Sequence, residues 1–183
     1  MSGRQKIDEL RAKRASEVNR RSQAQLRDSH GARLAAIVSA ATTGSLCLED
    51  FDPTASRSLS LEWPKDITAA PGLVAPYVSQ EKAEELLECF QHRLTAMSGK
   101  IGFHDKDYMG LAPLRGIDPV SLLTVSDKAE DSVVFYLDDP EGLILVDCYR
   151  SQPCEPFSVI VQGDALVEKL APCFVDLAGP LER

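Results

Sequence analysis

Residues 120–125 (VSLLTV), 133–137 (VVFYL), 143–149 (LILVDCY) and 157–161 (FSVIV) decide the fold, with residues 164–171 (DALVEKLA) behind them. The first four are short apolar runs separated by Gly, Pro, Asp and Ser, and they read as four consecutive strands. In the third run Ile144, Val146 and Cys148 share one face; in the fourth Phe157, Val159 and Val161 do so. Such alternation predicts an antiparallel meander with one buried face. Asp139-Pro140-Glu141-Gly142 fits a type I turn, with Asp first, Pro second and Gly fourth, and would pin the register of the central hairpin. Asp164 is placed to cap a closing helix whose Leu166, Val167 and Leu170 can cover the sheet, and Pro172 is expected to stop it.

Working outward, Ser79 caps a second helix over 79–98. Ala83, Leu86, Leu87, Phe90, Leu94 and Met97 form one apolar stripe along it, Glu81, Glu84 and Glu85 suit its positive end, and Gly99 is expected to end it. Residues 99–116 read as a polar loop punctuated by glycine. Residues 43–78 carry Gly44, Pro53, Pro64, Pro71, Gly72 and Pro76 and read as a Pro/Ser-rich linker. Within it Leu59–Trp63 alternates and could add one edge strand, with Trp63 packing the linker onto the domain. Residues 4–42 hold no Pro and a single Gly, Gly31, and are rich in Arg, Ala, Gln, Glu and Leu. A continuous helix there would be about 58 Å long. The expected organisation is therefore a basic helix over 1–42, a linker over 43–78 and an α+β domain over 79–183.

Composition sets further bounds. The chain has 183 residues, 44% hydrophobic and 26% charged, as in a globular domain. No apolar run approaches the roughly 20 residues needed to cross a bilayer, and the N-terminal stretch lacks a signal-peptide core. Five cysteines, an odd number with no CxxC pair, point to a reduced intracellular protein. The net charge of −8 is polarised: residues 1–40 hold nine Lys/Arg against four Asp/Glu, and the remainder holds eleven against twenty-four. Such asymmetry marks parts with different partners. The sparse apolar positions before residue 42 sustain no strict heptad, so pairing with a partner helix, a disordered basic tail and direct nucleic-acid binding are three readings of it. The interleaved acids and the lack of any aromatic residue before Phe51 weigh against nucleic acid.

Chemistry-bearing residues are few. His104, Asp105 and Asp107 combine an imidazole with two carboxylates, but adjacent residues in one loop seldom converge and a fourth ligand is missing. Cys89 and His92 lie three apart on one helix, without the paired motif zinc needs. Cys148 reads as a core cysteine rather than a reactive thiol. No P-loop, GxGxxG, GxSxG or HExxH occurs. The expectation is no catalytic residue, no metal, no cofactor and no enzyme.

The order helix, four-stranded meander, proline-containing loop and closing helix resembles the RWD domain, a relative of the ubiquitin-conjugating fold. Tyr149 followed by Pro153 and Pro156 resembles a displaced form of the Tyr-Pro-x-x-x-Pro signature of that family. There is no His-Pro-Asn, so the resemblance does not imply conjugating activity. RWD domains behind coiled-coil segments are typical of kinetochore subunits, and this implies a non-catalytic protein-interaction subunit of a nuclear, hetero-oligomeric scaffold. Its basic helix, through Arg11, Arg14, Val18 and Arg21, would pair with another subunit. Its acidic head would dock through the sheet or through Tyr149, Pro153 and Pro156. A bacterial immunity or antitoxin-like protein that binds a basic toxin is the alternative of a different class, and a metal- or thiol-dependent enzyme is a further one.

Overall fold

A computed structural model describes residues 3–42, 44–55, 72–94, 97–151 and 154–177, with side chains from residue 10 to residue 175 of these. The elements in chain order are α1 (Gly3–Ala41), β1 (Leu73–Val78), α2 (Gln80–Arg93), β2 (Ser98–Phe103), β3 (Ala112–Arg115), α3 (Ser121–Ala129), β4 (Val133–Leu137), β5 (Gly142–Cys148), β6 (Phe157–Gln162) and α4 (Asp164–Leu177). Short 3₁₀ turns occupy Leu48–Asp50 and Asp107–Met109. The strands form a single antiparallel sheet in the order β1-β6-β5-β4-β2-β3. The α+β class and the long N-terminal helix agree with the sequence reading. The strand count does not: six strands are described where four were expected.

Residues 120–125 are not a strand. They open α3, because Asp118 turns the chain into a helix: its carboxylate accepts Val120 N–H at 3.0 Å and its carbonyl accepts the Ser121 hydroxyl at 2.6 Å. Leu122, Val125, Ser126 and Ala129 are buried at helical intervals, and this longer period prevails over the apparent alternation of six residues. Three other strands come from stretches that glycine or proline interrupts. β2 and β3 arise within the expected polar loop and β1 within the expected linker. Gly99 belongs to β2 and does not end α2, which stops at Arg93 with Leu94 extended. A Cβ on Gly99 would lie 1.9 Å from the Tyr136 carbonyl oxygen, so only glycine allows β2 and β4 to approach here. Pro76 sits in β1, which lies at the sheet edge where a missing N–H is tolerated. The alternating stretch 59–63, with Trp63, lies outside the described residues.

The central hairpin keeps the expected register, with Phe135 opposite Ile144 and Leu137 opposite Gly142. The Asp139–Pro140 peptide is cis, in place of the expected type I turn. The expectation of one buried face is corrected as well. Val133, Phe135, Ile144, Val146, Val159 and Val161 face the helices in the main core. Val134, Tyr136, Leu143, Leu145 and Ile160 form a second buried cluster with Leu111 on the other face. Strands buried on both sides read as continuous apolar runs, as LILV and VIV do.

α2 and α4 pack together on the main core. Ser79 caps α2 by accepting Lys82 N–H at 3.3 Å, and Ala83, Leu86, Leu87 and Phe90 are buried. Pro172 does not stop α4, which runs through it to Leu177. Past the proline, the Phe174 ring stacks on Phe90 at 5.9 Å, and Cys173 is bonded to Cys89. Disulfide and ring contact hold the last turn against α2 where Pro172 has removed a backbone hydrogen bond. The disulfide corrects the expectation that all cysteines are reduced. It joins residues 84 apart in sequence, beyond the reach of any spacing motif.

Candidate interaction surfaces

α1 is built in two halves. Its C-terminal half belongs to the body: Leu34, Ala35 and Val38 are buried in the main core, and the helix packs on α3 and on the turn at 107–109. Gly31 lets the Leu48–Asp50 turn come close, since a Cβ there would lie 2.6 Å from the Leu48 side chain. Arg27 fixes the junction. Its guanidinium donates to the carbonyls of Met109 (2.6 Å), Tyr108 (3.4 Å), Leu48 (2.9 Å) and Phe51 (2.6 Å), two pairs of acceptors from segments about 60 residues apart. Five donors in a planar fork suit such a task. The Asp52–Leu111 bridge, with N–H···O distances of 2.9 and 3.0 Å in the two directions, binds the same two segments to each other. Residues 10–26 continue as an exposed arm, with Leu10, Val18 and Leu26 at 53%, 67% and 41% exposure.

Arg11, Arg14, Val18 and Arg21 all lie on this arm and are exposed. Arg21 also reaches back one turn to Glu17 at 3.1 Å, an exposed pair of small energetic weight. The other expected surface is the loop after β5. There Tyr149 N–H donates to the Pro156 carbonyl, which closes the loop. The Tyr149 ring is half-buried against the second cluster and 5.4 Å from Tyr77. Burial, then the carboxylate of Asp147, pushes the Tyr149 phenol above its ordinary range, so it stays protonated. Pro153 lies outside the described residues. The structure thus separates the expected site residues into an exposed arm and a half-buried loop.

A groove of about 610 Å³ opens between α2, α3 and the β5–β6 loop, lined by Glu84, Leu123, Asp127, Cys148, Arg150 and Phe157 among others. Arg150 spans its rim, 3.7 Å from Asp127 and 3.0 Å from Glu130. The Cys148 thiol lies 4.0 Å from the Asp127 carboxylate, and burial together with that negative charge raises its pKa. A raised thiol pKa suppresses the thiolate, the form a nucleophile needs.

His104 lies 3.9 Å from Asp105, but among the described residues no group of three His, Cys, Asp or Glu is placed to hold a metal. Cys89 is committed to its disulfide and cannot join His92 as a ligand. The loop instead carries a structural ion pair, Lys106 to Asp131 at 2.8 Å, with the Asp131 side chain wholly buried. Burial raises the Asp131 pKa despite the facing lysine. No family model, no curated protein and no solved structure matches the chain. No described helix is long and apolar enough to cross a membrane. The class that fold and surfaces define is an antiparallel α+β body carrying a projecting basic helix.

Proposed function

We propose that the chain is a non-catalytic interaction subunit of a multiprotein assembly, in which the arm of α1 binds a partner and the acidic body docks to another subunit. One observation carries the reading: α1 is anchored at Arg27, Leu34 and Val38 and then projects about 25 Å, at roughly 1.5 Å per residue, as an exposed helix from residue 26 to residue 10. A helix of that composition gains little in water by itself, and binding to a partner would supply the missing stabilisation. The resemblance to RWD domains would place such a subunit among scaffolds of the kinetochore kind, and that finer placement rests on the resemblance alone. Opposite charge on arm and body favours partners of opposite sign, chiefly through the rate of encounter.

The test is affinity capture from the native host with the full chain and with Arg11→Glu/Val18→Asp/Arg21→Glu, followed by mass spectrometry. A defined set of proteins recovered by the first and lost with the second is expected. Equal recovery by both, or no specific recovery, would overturn the reading. Truncation to residue 42 is unsuitable, since it removes Arg27, Leu34 and Val38 from the body.

A further inference from the structure

Two exposed helical faces of this chain complement each other. On the arm, Arg11, Arg14, Val18 and Arg21 recur at intervals of three, four and three, which places them along one side of α1. At 3.6 residues per turn that side lies roughly 160° round the helix from the Arg27, Leu34 and Val38 side that faces the body. Lys13 and Arg20 add positive charge to the arm on the side in line with Arg27, and Glu17 is the only acid between residues 10 and 26. On the body, Glu81, Glu84, Glu85 and Glu88 occupy the outer face of α2, opposite the buried Ala83, Leu86, Leu87 and Phe90. Gln80 donates to Glu84 at 2.7 Å. Among the described residues no cation pairs with Glu81, Glu85 or Glu88; Lys82 on the same turn, and His92 and Arg93 one turn beyond Glu88, are the basic groups of α2 beside that face.

The spacings also match. Arg14 and Arg21 are seven residues apart, as are Glu81 and Glu88, so each pair spans about 10.5 Å along its helix. Building on the interaction role argued above, we propose that the occupant of the arm is a second copy of this chain. The arm of one copy lies antiparallel along α2 of the other, with Arg14 facing the second copy's Glu88 and Arg21 facing its Glu81. The second copy's arm returns the same contact. Each copy offers one basic and one acidic surface, so two-fold symmetry satisfies all four and closes the assembly as a dimer. The acidic body that draws in another copy's arm would repel a polyanion, which favours this occupant over nucleic acid. Exposed ion pairs are individually weak and are screened beyond about 8 Å at physiological salt, so the contact is salt-sensitive.

The experiment is sedimentation equilibrium on the full chain with two charge reversals, Arg14→Glu/Arg21→Glu and Glu81→Arg/Glu88→Arg, each checked for native circular dichroism. All four positions are exposed, and the neutral pair Arg14→Gln/Arg21→Gln serves if a reversal fails to fold. The wild type is expected to dimerise, with affinity falling about tenfold or more between 50 and 500 mM salt, as screening requires. Each reversal alone should be monomeric at concentrations where the wild type is dimeric, and an equimolar mixture of the two should form a heterodimer. A monomeric wild type, a reversal that leaves the dimer intact, or a mixture that fails to pair would overturn the proposal. Arm-dependent capture of a different protein by a monomeric chain would overturn this inference alone and leave the interaction role standing.

Discussion

Arg27→Ala should cost about 3 kcal/mol of stability, and the figure follows from the junction it holds. Three of its hydrogen bonds, at 2.6, 2.6 and 2.9 Å, are short enough to count fully, and the fourth at 3.4 Å is marginal. Bonds to a charged group contribute about 1.5–3 kcal/mol each. The guanidinium is only half-buried, so the lower bound applies, and three bonds then give about 4.5 kcal/mol. Bonds sharing one donor group are not additive, which lowers the expected loss to about 3 kcal/mol. Phe51 and Met109 are buried, so their carbonyls are poorly placed to recover the bond from water. Urea denaturation is the assay: with m near 2 kcal/mol/M the midpoint should fall by about 1.5 M. Arg27→Lys should recover about half of the loss, because a single ammonium cannot span both pairs of carbonyls. Arg21→Ala, which removes only the exposed pair with Glu17, should stay within about 0.5 kcal/mol. A loss below about 1 kcal/mol for Arg27→Ala, or full recovery by lysine, would refute the view that Arg27 fastens α1 to the body.

Replacing Cys89 and Cys173 together by Ala should destabilise the chain by up to about 4.6 kcal/mol, the chain-entropy value for a loop of this separation, read as the difference in urea midpoint from the oxidised wild type. Gly99→Ala should unfold the protein or lower its melting temperature by more than about 5 °C, as β2 is driven off the Tyr136 carbonyl; an unchanged melting curve would mean that the strands do not approach as described. Lys106→Met leaves Asp131 buried without its cation and should cost about 3 kcal/mol at pH 7. The Asp131 carboxyl has a raised pKa in the folded state, so its favourable term is complete below the unfolded value near 4 and is lost as pH rises through the folded value. The penalty of Lys106→Met should therefore shrink towards pH 4, and a penalty independent of pH would contradict that assignment.

Legibility of the sequence divides along physical lines. The Ser79 cap with the Ala83–Phe90 stripe is readable because cap and period agree within one segment, and the β4–β5 pairing because the Asp-Pro-Glu-Gly punctuation marks where the hairpin bends, although the turn itself differs from the type expected. β2 was hidden because its two glycines answer to a neighbour: the requirement at Gly99 comes from the Tyr136 carbonyl of a strand 37 residues away. For α3, VSLLTV is too short for periodicity to choose between strand and helix. Asp118-Pro119 ahead of it was the signal for a helix start that could have been weighed. The continuous apolar runs of β5 and β6 signalled burial on both faces, although attention to alternation alone picks out one. At the candidate surfaces, the exposure of Arg11, Arg14 and Arg21 follows from their charge, whereas that of the apolar Val18 does not. The Arg27 junction was not, since backbone carbonyls recruited from two distant segments leave no pattern in side-chain chemistry.

The arm obeys different physics from the half of α1 that anchors it. Towards the C-terminus, Leu34, Ala35 and Val38 keep one side of the helix in the core. Traced back along that side, the stripe passes through Arg27 to Arg20 and Lys13, where apolar burial has no material to work with. Packing therefore ends near residue 27, yet the helix continues, because propagation from an existing turn avoids the cost of nucleation. Helicity in the arm should then be borrowed from the anchored half and decline with distance from it. Amide hydrogen exchange should show protection highest near residues 31–38 and falling progressively through residues 26 to 10. Arg27→Ala should steepen that fall without touching any arm residue. Charge reversal at Arg14 and Arg21 should reduce protection in the arm only under conditions where the wild type is bound to its partner. Uniform strong protection through residue 10 in a monomeric chain would show that the arm is stable in its own right, and binding would then not be needed to complete it.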